Sequence, residues 1–146
     1  RELVVVVLNQ DGSVKATAAF DYLLSSATIP VPALGVQEIR GERILAWHRE
    51  TEAGGFCGDV EVDESGYVEI ASCKGAGSLE RRQLSPKAVD QLQTWAATYQ
   101  AFETQQIQGT GPGQVRTRTT FVGKGARQVS EVEMRMIQAL LEALAS

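Results

Sequence analysis

The sequence predicts an α+β domain in which two helices pack on one face of a mainly antiparallel sheet. Several short stretches of the first half alternate apolar and polar residues with period two, as half-buried strands do. Two later stretches repeat apolar residues at three- and four-residue spacing, as amphipathic helices do. Because both kinds of element have one apolar face, laying the helices on the sheet buries both faces in a shared core.

The chain length of 146 residues is that of one domain. We expect residues 1–42 to supply N-terminal strands and a proline-containing loop, and residues 43–146 a hairpin–helix–strand–helix unit. The net charge of −4 and the pI of about 5.0 disfavour a nucleic-acid partner. The apolar run Leu3–Leu8 is too short to span a bilayer, and the start at Arg1 favours a processed chain with an upstream lipid anchor as one option.

The N-terminal segment predicts two strands joined by a turn. Leu3–Leu8 is apolar and largely β-branched without interruption, which is typical of a buried strand. Asn9–Gly12 carries turn residues, and Val14–Phe20 then alternates as a second strand does. Asp21–Ser26 fits a strand or a loop, and the prolines of Ala27–Gly35 favour an extended loop.

The middle of the chain predicts a third strand and a bend. A turn is expected at Ile39–Glu42, because Gly41 interrupts the pattern there. Arg43–Arg49 then alternates, which places Trp47 and His48 on opposite sides of a strand. The paired glycines within Glu50–Phe56 favour a bend or bulge that leads into a hairpin.

Residues 57–73 predict a β-hairpin with the three-residue loop Glu64-Ser65-Gly66, whose glycine suits a positive φ. Centring the hairpin on Ser65 pairs Val60 with Ile70 and Val62 with Val68. One face is then aliphatic, with Val60, Val62, Val68 and Ile70. The other face is acidic, with Asp59, Glu61, Asp63 and Glu69. A flexible link, Lys74–Ser78, is expected to follow the hairpin.

The same register sets Cys57 opposite Cys73 and predicts a cross-strand disulfide. Disulfides persist in oxidising compartments, so this pair indicates an exported protein that is periplasmic, on the cell surface or secreted. In a cytosolic chain the two thiols would instead stay reduced, and the sequence leaves that alternative open.

Two helices have clear start signals. The first begins with Ser85 as N-cap and Pro86 at the first helical position. Its apolar stripe runs over 89–102, so we expect the helix to end near Glu103–Gln106. The second opens with a capping box from Ser130 to Glu133. Its predicted buried stripe comprises Met134, Ile137, Leu140, Leu141 and Leu144.

The segment between the helices predicts a loop, a strand and a turn. The loop is expected at Gly109–Gly113 and the turn at Gly123–Gly125, because both are rich in glycine. Alternation predicts that one side of the strand carries Val115, Thr117, Thr119 and Phe121.

No pattern predicts a catalytic, metal or cofactor site. His48 is the single histidine and lies in a predicted strand, while alternation alone accounts for the hairpin carboxylates. Two cysteines and one histidine fall short of four zinc ligands unless carboxylates join them. We therefore expect no enzymatic activity. The alternative is a small hydrolase-like enzyme that uses His48 and the hairpin carboxylates.

The least ordinary stretch is Arg49–Gly58, where a large apolar residue stands among glycines beside a cysteine. Small neighbours allow close approach to another surface, and an adjacent disulfide would hold the loop in one shape. We therefore predict a binding surface formed by Gly54, Gly55, Phe56 and Gly58. Phe56 would be its anchor, and Thr28–Gly35 a neighbouring loop.

Residues 43–146 resemble emfourin-like bacterial proteins, small domains that open with an Arg-x-Gly-Gly-Phe-Ala-Gly-type strand. The matching residues are Arg49, Gly54–Gly58, the helix at 84–102, Thr117–Gly125 and the helix from Ser130. The chain departs from that pattern where Glu50–Ala53 separate Arg49 from the glycines, and where Cys57 replaces a small residue. Emfourin inhibits thermolysin-type metalloproteases, so the resemblance implies a protease as partner.

The hairpin is also similar to that of uncharacterised secreted bacterial lipoproteins, in which a Gly-Phe-Cys-Asp segment is closed by a later cysteine. Here the corresponding residues are Gly55–Asp59 and Cys73. We therefore expect a non-enzymatic, exported protein-binding domain, either a protease inhibitor or an envelope lipoprotein, that is a monomer or a homodimer. A structural envelope module that self-associates through a sheet edge is the remaining alternative.

Overall fold

The computed structural model describes residues 2–22, 24–30, 41–54, 56–72 and 78–145. The strands and helices follow one another along these residues in the order given next. They are β1 (Glu2–Leu8), β2 (Val14–Asp21), β3 (Leu24–Pro30), β4 (Arg43–Thr51), β5 (Cys57–Asp63), β6 (Tyr67–Ser72), β7 (Ser78–Leu84), α1 (Pro86–Thr98), β8 (Gln100–Gln108), β9 (Val115–Lys124) and α2 (Glu131–Ala145).

Seven of these strands form one antiparallel sheet in the order β3-β7-β6-β5-β4-β9-β8. The first two strands form a separate antiparallel ribbon. The α+β prediction is confirmed, because both helices contribute to one core with the main sheet. Neither helix in the described part of the chain is long and apolar enough to cross a bilayer.

The core lies between the helices and the inner face of the sheet. Its fully buried members include Leu45, Val62 and Phe121 from the strands, and Leu92 and Ile137 from the helices. The β1–β2 ribbon packs on the helices. Its Phe20 ring stacks on Trp95 of α1, with the ring centroids 5.4 Å apart.

The ribbon confirms both N-terminal strands, but the prediction that the first is buried was wrong. Residues on one side, such as Leu3 and Val5, pack against the core. The alternate residues on the other side are about half exposed, with Val4 at 53% and Val6 at 50%. A two-stranded ribbon that covers the helices with one face leaves its other face uncovered.

The predicted loop at Ala27–Gly35 was wrong for its first four residues, which belong to β3. This strand forms one edge of the main sheet and ends at Pro30. Proline is tolerated there because an edge strand has a row of amides that need no partner strand. The rest of that loop, and the first two residues of the expected turn at Ile39–Glu42, lie outside the described residues.

The predicted hairpin register is confirmed, since Val60 pairs with Ile70 and Val62 with Val68. The aliphatic face is buried or packs against the core, as expected. Asp63, predicted on the exposed face, is only 6% exposed because its Oδ1 accepts hydrogen bonds across the turn, including one from the Ser65 amide at 2.9 Å. Gly66 has the expected positive φ of 81°.

The first helix begins as predicted, with Ser85 Oγ accepting from the Ala88 amide at 3.2 Å. Its predicted end was wrong: α1 stops at Thr98 and β8 follows at once. The end of α1 packs closely against Gly125, where an added side chain would collide with the backbone of Thr98. The Gly125 amide donates to Tyr99 O at 3.0 Å, which draws the two segments together.

The second helix and the strand before it agree closely with the sequence. Ser130 Oγ accepts from the Glu133 amide at 3.3 Å, as the capping box requires. Thr117, Thr119 and Phe121 of β9 are buried, as alternation predicted. Four of the five predicted helix residues are buried, namely Ile137, Leu140, Leu141 and Leu144. The fifth, Met134, is only partly covered, and Met136 takes a place in the core instead.

A candidate protein-binding loop between β4 and β5

A hairpin loop joins the end of β4 at Thr51 to the start of β5 at Cys57, which agrees with the predicted bend and not with the alternative of a bulge. The Thr51 amide donates to Phe56 O at 3.0 Å, and the Phe56 amide donates to Thr51 Oγ1 at 2.9 Å. Gly54 turns the chain with a φ of 75°, and its amide donates to Thr51 O at 2.9 Å. A glycine serves here because other residues rarely adopt this positive φ.

A second loop holds this one in place. The Glu52 amide donates to Gln114 O at 2.9 Å, and the Ala53 amide donates to Pro112 O at 3.1 Å. Pro112 lies in the short 3₁₀ turn Gly111–Gly113 between β8 and β9. The β4–β5 loop is therefore tied to a distant part of the chain by backbone hydrogen bonds that no local sequence pattern indicated.

Phe56 presents a large apolar surface at this loop. Its side chain is 47% exposed. The ring lies over Gly58, where an added Cβ would come within 3.1 Å of Phe56 Cζ. Gly58 thus provides the space in which the ring rests, as the grouping of small residues around Phe56 suggested.

A groove of about 430 Å³ begins beside Phe56. Trp47, Val60 and Ile70 form apolar parts of its lining, and Ala145 lines it where α2 ends. The Arg49 guanidinium lies over the Trp47 ring at 4.8 Å from the centroid and also bonds to α2 and β9. The floor of the groove is therefore fixed by packing and by hydrogen bonds.

The carboxylates of the groove are already paired with basic groups. Glu80 Oε1 lies 2.6 Å from a guanidinium nitrogen of Arg82, and Asp59 Oδ1 lies 2.7 Å from Nδ1 of His48. The groove therefore presents mainly apolar surface with little uncompensated charge, which suits an apolar segment of a partner.

His48 sits on the polar face of the sheet between two carboxylates. Nδ1 faces Asp59, and Nε2 lies 3.5 Å from Glu50 Oε2. The hydrogen bond to Asp59 is the main cause that raises the pKa of His48, against a smaller lowering by burial. A raised pKa favours the imidazolium form, in which His48 forms an ion pair with Asp59.

The predicted site residues are brought together only in part. Gly54 lies in the loop, and Phe56 and Gly58 line the groove, whereas Gly55 lies outside the described residues. Cys57 opens β5, and the β5–β6 register continues as predicted to the pair Gly58 and Ser72. Cys73 lies outside the described residues, so the disulfide stays a prediction. The predicted neighbouring loop, Thr28–Gly35, is described only for its first three residues, which belong to β3.

The sequence did not indicate two features of the site that depend on distant segments of the chain. Alternation placed Trp47 and His48 on opposite sides of a strand but gave no indication that Trp47 would line a groove beside Phe56. The support from the turn at Gly111–Gly113 also had no sequence signal, because it depends on how two hairpins meet.

No family model, no curated protein and no solved structure matches this chain.

Proposed function

We propose that this protein is an exported, non-enzymatic domain that binds a protein partner through the β4–β5 loop. The observation that carries this proposal is Phe56, a half-exposed aromatic ring at the rim of a largely apolar groove. Aromatic anchors that fill pockets contribute a large share of binding energy at protein interfaces. An apolar segment of the partner would pack against Phe56 and enter the groove.

The backbone contacts of the loop support this role. Hydrogen bonds to Pro112 O and Gln114 O fix one side of the loop, and Thr51 fixes Phe56. A loop that is already ordered loses little conformational entropy when it binds, so more of the contact energy appears as affinity.

The narrower proposal is that the partner is a thermolysin-type metalloprotease, as the resemblance to emfourin-like proteins suggests. Its support is the Gly-Gly-Phe segment, whose phenylalanine lies at an exposed loop held by a second loop. A prearranged loop of this kind suits a protease cleft, because inhibitors bind with little change in backbone shape.

The test compares Phe56→Ala with Ile107→Ala, which removes another large exposed side chain, on the edge strand β8. Each variant is used to capture proteins from the native envelope, and each is assayed for inhibition of a thermolysin-type protease. We expect Phe56→Ala to lose at least one captured protein that the wild type and Ile107→Ala retain. If every captured protein persists with Phe56→Ala, the proposal is wrong. If Phe56→Ala loses a captured protein but still inhibits the protease as well as the wild type does, only the narrower proposal is wrong.

Export is proposed together with the disulfide between Cys57 and Cys73. The support is the β5–β6 register, which follows the predicted pairing from Val62 with Val68 outward to Gly58 with Ser72. Intact mass after thiol alkylation under non-reducing conditions tests it. Unmodified protein is expected, whereas addition of two alkyl groups would remove this argument for export.

Self-association is a second candidate function, favoured by the outer face of the ribbon. Four aliphatic side chains there are half exposed or more: Val4, Val6, Leu8 and Val14. If this face joins copies of the protein, light scattering should show a mass that rises with concentration, and Val6→Glu should abolish the rise. A constant monomer mass at all concentrations would discard this candidate.

A further inference from the structure

A second cleft lies between α1 and the main sheet, where β4 begins and β9 ends. Its volume is about 270 Å³. Four apolar residues line it: Ile44 of β4, Val122 of β9, and Ala96 and Ala97 of α1. None of the described residues that line it also lines the groove beside Phe56. The cleft is therefore a separate site, and the proposed function assigns it no role.

The two alanines leave the space that forms the cleft, because their side chains end at Cβ. Ile44 on the sheet is 5% exposed, whereas Ala97 is exposed. The cleft therefore leads from solvent to a buried apolar residue. An aliphatic chain that enters it loses contact with water, which favours binding. Pockets for drug-sized ligands measure about 300–1,000 Å³, so this cleft suits a smaller molecule.

Among the described residues at the rim of the cleft, carboxylates outnumber the cations that can pair with them. Lys124 Nζ donates to the carboxylate of Glu42. The Arg43 guanidinium bonds at 2.9 Å to Glu61, which does not line the cleft. The carboxylate of Glu64 remains, and it has no ion-pair partner in the described part of the chain. Glu64 therefore gives the rim an excess negative charge.

Backbone contacts and a glycine hold Glu64 beside the cleft. Its amide donates to Glu42 O at 2.8 Å, and its carbonyl oxygen accepts from Gln93 Nε2 of α1 at 3.1 Å. Its side chain lies against Gly41, where an added Cβ would come within 2.5 Å of Glu64 Cγ. The hydrogen bond to Glu42 is the main cause that raises the pKa of Lys124, and the charge of Glu64 adds to it. The charge of Glu64 is therefore felt at the rim.

We propose that this cleft binds a small primary alkylamine in its ammonium form. The alkyl chain packs between Ile44 and the alanines of α1, and the ammonium group donates to the carboxylate of Glu64. Hydrogen bonds between an ammonium and a carboxylate are stronger than those between neutral groups. An aliphatic carboxylate would have to displace Glu42 from Lys124 and would meet the charge of Glu64. The rim therefore favours a cation, and this site goes beyond the proposed binding function.

The test is a titration of the whole protein followed by the chemical shifts of its backbone amides. Hexylammonium should move the signals of Gln93, Ala97 and Val122 and saturate. Hexanoate has a chain of the same length and the opposite charge, and it should bind more weakly. Methylammonium has the charge without the chain, so it should give no saturable change at these residues. Hexanoate that binds as tightly as hexylammonium would overturn the proposal.

A pair of matched variants tests the role of the charge. Glu64→Gln should weaken hexylammonium binding by roughly two- to fivefold, as expected for an ion pair near solvent. Glu103→Gln changes the net charge equally at an exposed residue that pairs with Arg118 and lies outside the cleft, and it should bind like the wild type. The difference should fade in about 1 M salt. Equal binding by Glu64→Gln and the wild type would overturn the assignment.

A second pair of variants tests the cleft itself. Ala97→Leu fills the space and should abolish the saturable shifts. Thr94→Leu adds the same side chain at an exposed position of α1 that does not line the cleft, and it should leave binding unchanged. Binding that survives Ala97→Leu would overturn the site. Circular dichroism checks folding, and if Ala97→Leu does not fold, Glu64→Gln decides.

One further ligand separates a free amine from a lysine side chain of a protein, which carries the same ammonium group. Nα-acetyl-lysine methylamide holds this group on a peptide backbone. We expect it to bind more weakly than hexylammonium, because its backbone adds bulk at the mouth of a small cleft. Tighter binding of the lysine derivative would overturn the proposal of a free alkylamine.

Discussion

The hairpins β1–β2 and β5–β6 use the same turn chemistry in different surroundings. In the first turn Asp11 Oδ1 accepts from the amide and the hydroxyl of Ser13, at 2.9 and 2.5 Å. In the second, Asp63 Oδ1 accepts from the amide and the hydroxyl of Ser65, at 2.9 and 2.6 Å. Both turns also contain a glycine with positive φ, 86° at Gly12 and 81° at Gly66.

What differs is how much of each hairpin the rest of the molecule covers. The β5–β6 hairpin lies inside the seven-stranded sheet, and its apolar face is buried under helices. Among the described strands, none other than β1 and β2 joins the ribbon, and half of its aliphatic residues face outward. Local turn chemistry therefore sets the shape of both hairpins, whereas their contribution to stability depends on what packs against them.

The largest difference in the free energy of unfolding is expected between alanine substitutions of the two turn glycines. Both place a side chain at positive φ, which costs on the order of 1–2 kcal/mol. Gly12→Ala meets open space, but Gly66→Ala would also collide with Val89 Cγ2 of α1. We expect the free energy of unfolding to fall by about 1 kcal/mol for Gly12→Ala and by roughly 3 kcal/mol for Gly66→Ala. Urea unfolding measures both, and equal losses would contradict the role assigned to α1.

The next difference compares two valines on these hairpins. Val62 is fully buried, whereas Val6 is 50% exposed. Removing two methyl groups from a packed core costs about 1.5–3 kcal/mol, because it loses transfer energy and leaves a cavity. Val62→Ala should therefore lose that amount and Val6→Ala less than about 0.5 kcal/mol. A loss at Val6 as large as at Val62 would show that the outer face of the ribbon is covered in solution.

The two turn aspartates should differ less than the valines. Asp63 is nearly buried and accepts a third hydrogen bond, from the Tyr67 amide at 3.1 Å. Its removal leaves donors without an acceptor in a place that water reaches poorly, which costs about 1–2 kcal/mol. Water can replace the exposed Asp11, so Asp11→Ala should cost only about 0.5 kcal/mol or less. Chemical denaturation of both variants checks this. A larger loss in the free energy of unfolding for Asp11→Ala than for Asp63→Ala would contradict the prediction.

The sequence could predict the features that local hydrogen bonds determine. The β5–β6 register followed from the turn at Gly66 and from alternation on both sides of it. The starts of both helices followed from Ser85 and Ser130, whose hydroxyls bond to amides three residues away. Phe56 could be predicted as a binding residue because the glycines that distinguish it are its neighbours in the sequence.

Features that depend on distant segments escaped prediction. Gln100–Gln108 is rich in Gln and Glu, which favour helix, and Phe102 extends the helical stripe of α1. It forms β8 because it pairs with β9. β7 was missed as well, since Arg81 and Arg82 interrupt its apolar pattern. In the candidate site, the support of the loop by the Pro112 carbonyl is equally non-local.

The smallest effect is expected where the ribbon meets α2, at the ion pair between Lys15 Nζ and Glu131 Oε2, 3.0 Å apart. The hydrogen bond from Lys15 is the main cause that lowers the pKa of Glu131 below its usual value of 4.5. A lowered folded pKa means that the contribution to stability is present above about pH 4.5 and is lost as the pH falls through the folded pKa. Both side chains are more than half exposed, so the contribution is small and sensitive to salt.

A double-mutant cycle of Lys15→Met and Glu131→Gln isolates this pair from other carboxylates that titrate in the same range, including Asp11, whose pKa is also lowered. The coupling should appear as a small shift in thermal midpoint at pH 7 and low salt. It should vanish in acid and fade in concentrated salt. A coupling that persists in acid would contradict an electrostatic origin. No coupling at pH 7 would mean that the ribbon is held to α2 by packing alone, through residues such as Leu3 and Val5. The ribbon would then resemble the β5–β6 hairpin in depending on what it covers, and differ from it only in leaving one face open.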